Sequence, residues 1–136
     1  MSRTTDKDKI SRKKDGSLFV ISAPSGAGKS TLCQRLLCAW TELSLSVSYT
    51  TRSPRKGEVD GVHYTFISEK RFRNMISRGE FAEWAVVHGN HYGTSLKRLT
   101  KLNKEGFDVL LDIDVQGARQ IRKACKNAIY IFILPP

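Results

Sequence analysis

Apolar residues in this chain gather in short runs separated by polar, glycine-containing stretches. Leu18-Phe19-Val20-Ile21, Val109-Leu110-Leu111 and Ala128 to Leu134 are nearly continuous apolar runs with few helix-period breaks. Such runs predict strands of a parallel sheet buried on both faces. Leu45-Ser46-Val47-Ser48-Tyr49 alternates and predicts one strand, and Tyr64 to Ile67 a second short one. Helical spacing appears over Thr31 to Trp40 and over Glu69 to Arg78, where Phe72, Met75 and Ile76 share a face before Gly79. It recurs from Ser95 to Glu105, ahead of Gly106, and from Ala118 to Ala124. Phe81 to Tyr92 reads as strand material around a turn at Gly89-Asn90. Strands alternating with helices predict a doubly wound α/β fold. The core occupies 18–47 and 94–136, a small mixed insertion occupies about 48–93, and a basic tail expected to be disordered covers 1–17.

One junction in this pattern carries chemistry. Between the first strand and the first helix stands Ala23-Pro24-Ser25-Gly26-Ala27-Gly28-Lys29-Ser30. Strand, glycine loop and helix in that order form a P-loop, whose glycines let backbone N–H groups curl around phosphate oxygens. The fold class sharpens to a P-loop NTPase core in three layers around a parallel sheet. Lys29 is placed to reach β- and γ-phosphates and Ser30 to hold Mg²⁺. Ala23 stands where the motif has its first glycine, which is tolerable if that position does not need positive φ. Asp112 and Asp114 close the strand expected beside the P-loop strand. Alternation would put both side chains on one side, where one carboxylate supports a metal's water shell.

A second element is Thr51-Arg52-Ser53-Pro54-Arg55-Lys56-Gly57-Glu58. Arg52 and Arg55, in a segment stiffened by Pro54, can present two planar forks to one phosphate. With a triphosphate cradle already present, a second phosphate clamp implies a phosphoryl acceptor; alone, the string reads as a solvated basic loop. Tyr64 and Tyr92 read either as half-buried strand aromatics or as phenolic donors to the acceptor phosphate. Glu83 lies between Phe81 and Trp84, so its carboxylate either sits on a strand surface or accepts from two adjacent donors such as guanine's N1–H and N2–H₂.

Bulk properties narrow the field further. The 136 residues fit one modest domain, and the net charge is +10. Part of that charge lies in Lys7, Lys9, Arg12, Lys13 and Lys14, and no interleaved aromatic and basic surface accompanies it. A nucleic-acid partner is therefore not expected. No apolar run reaches a membrane span or a signal region, and Cys33, Cys38 and Cys125 lack zinc-ligand spacing. The expectation is a cytoplasmic protein without disulfides or a membrane partner. His63, His88 and His91 receive no role.

These strings, with Gly89-Asn90-His91-Tyr92-Gly93-Thr94 and Leu111 to Gly117, resemble the guanylate kinase family of ATP:GMP phosphotransferases from residue 18 to the end. The family varies between glycine and alanine at the position of Ala23. The resemblance implies that ATP and GMP are the substrates, with Mg²⁺ as cofactor. It implies ATP binding by Ala23, Pro24, Ser25, Gly26, Ala27, Gly28, Lys29, Ser30 and Thr31, and metal support from Ser30 and Asp112. Arg52, Arg55, Tyr64 and Tyr92 would hold the GMP phosphate, and Ser48, Glu83 and Thr94 would read the guanine edge with Asp114 assisting. Lys29, Arg52 and Arg55 would carry the phosphoryl transfer.

By the same resemblance, a lid with further arginines and a last core strand would follow Pro136. The expectation is an apolar strand left as an open edge and a weak or inactive kinase that still binds GMP. Two other readings stand beside it. Scaffold proteins carry guanylate-kinase-like domains that bind peptides, but those usually lack a working P-loop. A nucleic-acid-binding P-loop protein would show salt-dependent retention on nucleic acid that competes with GMP.

Overall fold

The computed structural model describes residues 15–24 and 28–134. The charged segment 1–14, Ser25, Gly26 and Ala27 of the glycine loop, and Pro135 and Pro136 lie outside the described residues. Four strands form an all-parallel core sheet: β1 (Leu18–Ser22), β2 (Leu43–Leu45), β7 (Asp108–Asp112) and β8 (Ile129–Phe132), in the order β2-β7-β1-β8. The numbering skips because the chain leaves this sheet after β2 and returns at β7.

Alternation along the central strands loads both faces of the sheet. Val20 and Leu111 point to one side and pack with Leu99 of α3 (Leu96–Lys104) and Ile121 of α4 (Val115–Ala124). Ile21 and Leu110 point to the other side and pack with Cys33 of α1 (Lys29–Ala39) and with Leu43. Helix, sheet and helix are the three layers, and the phosphate loop opens at the carboxyl end of β1, where ligands of such sheets sit. β8, an apolar run of the kind a covered strand needs, stands among the described residues as the open edge expected of it. Among the described residues it pairs only with β1, and Ile129, Ile131 and Phe132 are 46, 40 and 52 % exposed.

The second sheet has the order β4-β3-β6-β5, from β3 (Tyr49–Thr50), β4 (Thr65–Phe66), β5 (Phe81–Val87) and β6 (Asn90–Ser95). Helix α2 (Glu69–Ser77), capped by the Ser68 hydroxyl, covers one face. It drives Phe72 and Met75 against Tyr49, and Phe72 stacks on Phe81 with ring centroids 4.4 Å apart. Gly93 permits this approach, because a Cβ there would lie 2.8 Å from the Phe81 ring. Truncating Phe72, which has no exposed surface, to alanine costs on the order of 3–5 kcal/mol.

Three local expectations are corrected. The alternating run Leu45 to Tyr49 is not one strand: Leu45 ends β2 in the core sheet and Tyr49 begins β3 in the other. Ser46 N still donates to Leu110 O, so the crossing segment stays extended and keeps its period of two while changing sheets. The hairpin turn is His88-Gly89 rather than Gly89-Asn90, since Val87 pairs with Asn90. Both turn residues have positive φ (49° and 78°), the backbone a two-residue turn of this hand requires, with glycine in its second place. The tail, expected to be disordered through residue 17, is held from Gly16 onward. Gly16 N donates to Asn103 O, Ser17 N donates to Asp108 Oδ1, and a Cβ on Gly16 would collide with the Phe107 carbonyl.

Candidate active site

The phosphate loop hands over to α1 at Gly28, whose φ of 80° only glycine adopts without strain. Helices α2, α3 and α4 each begin with a side chain bonded to a first-turn N–H: Ser68, Ser95 and Asp114. Helix α1 has no such cap and no acidic residue in its first turn. Its leading N–H groups and positive dipole end are therefore left for an anion. Lys29 Nζ lies 2.9 Å from Asp112 Oδ1 and donates to Ile113 O at 3.1 Å. Ser30 and Thr31 are exposed on the first turn, Pro24 is exposed, and Ala23 is buried at the end of β1. Among the described residues only His88 combines a side chain with positive φ, so Ala23 occupies ordinary backbone. Beneath the pair, burial pushes the Cys33 thiol up to about 11, with the Asp112 charge adding and Lys29 opposing. Cys33 stays a neutral core thiol.

Asp112 and Asp114 do not share the one side that strand alternation would give them. β7 ends at Asp112, Ile113 N donates to Ile21 O, and the chain then turns so that Asp114 caps α4. Asp112 serves Lys29, whereas Asp114 accepts from Gly117 N at 2.7 Å and lies beside Glu83. Ser30 and Asp112 nonetheless supply one hydroxyl and one carboxylate at the same end of the sheet. That oxygen set suits a hard divalent cation which keeps most of its ligands as water and phosphate. Among the described residues no group of three or more His, Cys, Asp or Glu is placed to hold a metal by itself.

The arginine string leaves β3 and is pinned by side-chain bonds. Thr50 Oγ1 donates to His91 O at 2.9 Å, Arg52 N donates to Thr50 Oγ1, and His91 N donates to Thr51 Oγ1. The two arginines are not two free forks. Arg52 gives both arms to Glu58, Nη1 to Oε1 and Nη2 to Oε2 at 2.9 Å each, and Nη1 also donates to Ser53 O. Its guanidinium lies 5.2 Å over the Tyr64 ring, which meets the Tyr92 ring edge-on at 5.9 Å. Glu58 also accepts from Arg55 N at 2.7 Å. These bonds, Arg52's first, hold the Glu58 carboxyl down at about 2, and the Glu58 bond raises Arg52 in turn. The Arg55 side chain is exposed and pairs with no described residue. Arg52, Tyr64 and Tyr92 thus form one fixed cluster, and Arg55 is the free fork beside it. Glu58, which the sequence reading left without a role, organises both.

Glu83 is 7 % exposed on β5. Thr94 Oγ1, fully buried on β6, donates to its Oε1 at 2.7 Å, while no described group donates to Oε2. Burial pushes the Glu83 carboxyl up; the Thr94 bond opposes this and the nearby Asp114 charge adds to it. Thr94 and Asp114 thus stand beside this carboxylate, and the pairing of Tyr49 with Gly93 carries Ser48, the residue before β3, to the level of Thr94. Gly117 was also missed as a site residue. A Cβ there would stand 3.2 Å from Asp114 Oδ1 and 3.3 Å from Glu83 Oε2. The signal lay in its spacing, three residues after a helix-capping aspartate.

The family model described as Guanylate kinase matches residues 15–136. A guanylate kinase of Geobacter metallireducens is 56 % identical over 124 residues, covering 91 % of this chain and 61 % of that protein. One of Nitratidesulfovibrio vulgaris is 53 % identical over 127 residues, covering 93 % of this chain and 61 % of its own length. The crystal structure of guanylate kinase from Anaplasma phagocytophilum superposes with a TM-score of 0.73 at 38 % identity, covering 91 % of this chain and 62 % of that one. The chain thus spans about three fifths of the length of these relatives.

Proposed function

Because the chain belongs to the guanylate kinase family, we propose that it transfers the γ-phosphoryl group of ATP to GMP, giving ADP and GDP in purine nucleotide metabolism. The core, residues 18–47 and 94–136, holds the donor at the α1 terminus and Lys29, and the insertion, 48–93, holds the acceptor. The observation that carries the acceptor's identity is Glu83: buried, bonded through one oxygen to Thr94, and open at the other beside Asp114. Guanine offers two adjacent donors to such a carboxylate, and adenine does not. Ser48 and Thr94 complete the edge reading.

The acceptor phosphate sits against Arg55, the free edge of Arg52, Tyr64 and Tyr92. Its second pKa is near 6, so it is mostly dianionic at neutral pH and needs no general base. Catalysis is then positioning two anions and neutralising the charge between them, with Lys29, Arg52 and Arg55 as the cations that do so. Mg²⁺, supported by Ser30 and Asp112, would neutralise charge on the triphosphate. Among the described residues no helix is long and apolar enough to cross a membrane, and we place the reaction in the cytoplasm.

Calorimetric titration of the chain with GMP and AMP tests the acceptor, followed by ADP release from ATP and Mg²⁺ with each monophosphate in turn. GMP is expected to bind at least tenfold tighter than AMP and to lose that grip in Arg55→Ala. Equal binding of the two bases refutes the role of Glu83. A peptide-binding scaffold domain is disfavoured by the intact Gly28-Lys29-Ser30 and the Lys29–Asp112 pair.

A further inference from the structure

The second sheet has a reverse face with chemistry of its own. Between α2 and α3 lies a cavity of about 450 Å³ whose rim carries Arg71, Arg78, Lys97, Arg98 and Lys101. The carboxylate among its lining residues is Glu80, and none of the five cations forms an ion pair with a described residue. The floor is built. Tyr49 lines it and is 8 % exposed, and its hydroxyl, bonded to no described residue, is not among the buried unpartnered atoms. Arg98 lies 4.3 Å over the Tyr49 ring and is held there by donation to Thr65 Oγ1 at 2.8 Å and to Val47 O at 3.3 Å. Arg71 stands over the same ring at 5.9 Å.

We propose that this cavity binds a diphosphate group, at a site separate from the nucleotide cleft. Five cations converging on a concave wall focus a positive potential there, and only Glu80 offsets it. A single phosphate leaves most of that charge unanswered, whereas a diphosphate brings more negative charge in a volume the cavity holds. A nucleic-acid backbone or acidic peptide fits poorly, because the cations ring a pocket rather than mark a track. Arg98 arrives already fixed by its stacking and its two bonds, so little order is lost when it takes an anion. Arg71 is mounted on the other wall, and the free Tyr49 hydroxyl supplies a neutral donor at the base.

Separateness follows from strand alternation. Tyr49 faces the cavity, so its neighbours Ser48 and Thr50 face the other way. Ser95 lines the cavity, while Thr94 beside it bonds Glu83. The cavity thus borrows strands from the proposed GMP site but none of its side chains.

The test is a titration of the ¹⁵N-labelled chain with inorganic pyrophosphate at constant ionic strength, following amide resonances. Saturable shifts are expected at Tyr49, Ser95, Arg98 and Lys101, with a midpoint distinct from any shifts at Gly28 to Thr31. In Arg71→Glu/Lys101→Glu, two exposed positions, the cavity midpoint is expected to rise at least tenfold while the Gly28 to Thr31 response stays unchanged. GDP shifting the cavity amides at lower concentration than pyrophosphate assigns the group to a nucleotide, and equal or weaker action assigns it to the free anion. Absence of saturable cavity shifts, the same shifts with chloride alone, or an unchanged midpoint in the double variant would overturn the proposal.

Discussion

Lys29 and Arg52 are both paired with a carboxylate at 2.9 Å, but in different ways. Lys29 gives a point charge to one oxygen of Asp112 and to a backbone carbonyl, and the two side chains are 22 and 29 % exposed. Arg52 gives both arms of a planar fork to Glu58, lies over Tyr64, and the pair is 11 and 18 % exposed. A single-point, partly exposed pair exchanges partners at little cost, and a two-point stacked one does not. Under the proposed function, the donor region parks its cation until a phosphate arrives, whereas the acceptor region keeps Arg52 fixed, with only its free edge toward the phosphate, and leaves Arg55 to move. Even the helix ends follow this division. The donor helix starts uncapped, while every helix around the acceptor and its walls is closed by a side chain.

The strongest way to break that division is to cross it. Lys29→Ala is expected to lower phosphoryl transfer by roughly 10²–10³, the usual loss for one preorganised donor to developing charge, with GMP affinity unchanged. Arg55→Ala is expected to weaken GMP by roughly 10- to 100-fold, the worth of hydrogen bonds to a charged group, with ATP affinity unchanged. Calorimetry on both variants decides it, and a variant that weakens both nucleotides equally would end the two-region account.

Glu83→Gln sharpens the acceptor side and comes next in size. GMP is expected to lose roughly tenfold or more in affinity and most of its advantage over AMP. Stability moves the other way. Because burial raises the Glu83 carboxyl, the folded state holds its proton above the ordinary 4.5, so the unliganded wild type loses stability relative to the variant as pH rises from there. Guanine's donors favour the ionised form. The GMP affinity of wild type relative to Glu83→Gln should therefore rise with pH, a ratio that cancels the phosphate's own titration.

Glu58→Gln tests whether Arg52 is scaffold. The Glu58 carboxyl is held at about 2, well below 4.5, so its pairing stabilises the fold above about 4.5 and is lost as pH falls toward 2. The gap between the acid-unfolding curves of wild type and variant is expected to close over that interval. A constant gap would show that the fork contributes nothing through ionisation.

Gly117→Ala carries the smallest effect. Alanine gains up to about 1 kcal/mol of helix propensity over glycine inside α4, which offsets crowding of comparable size against Asp114 and Glu83. Thermal stability is expected to stay nearly level while GMP affinity falls a few-fold. A large loss of stability with unchanged GMP affinity would remove Gly117 from the site.

Much of this was legible in the residues themselves. Leu18 to Ile21 and Val109 to Leu111 read as buried parallel strands because apolar side chains on both faces of a strand need cover on both. Gly28 and Lys29 marked the phosphate loop, since few backbones but glycine's take φ near 80° at a helix start. The arginine string and Glu83 were found, but their partners were not. Nothing local says that Glu58 occupies both arms of Arg52, that Thr94 meets Glu83 across a hairpin, or that Asp112 and Asp114 part company at a helix cap. The run Leu45 to Tyr49 shows the same limit: period two records an extended backbone, not the sheet it joins.

By itself, the sequence determined the element types, the phosphate loop and the inventory of charged groups, because backbone propensity and side-chain chemistry are carried by each residue and its near neighbours. Only the tertiary structure decided which charges are already paired, which carboxylate is buried with an oxygen left open, and which cations converge on the reverse face of the second sheet. Those outcomes depend on contacts between residues far apart along the chain, such as Lys29 with Asp112 and Thr65 with Arg98. No local pattern records such distances.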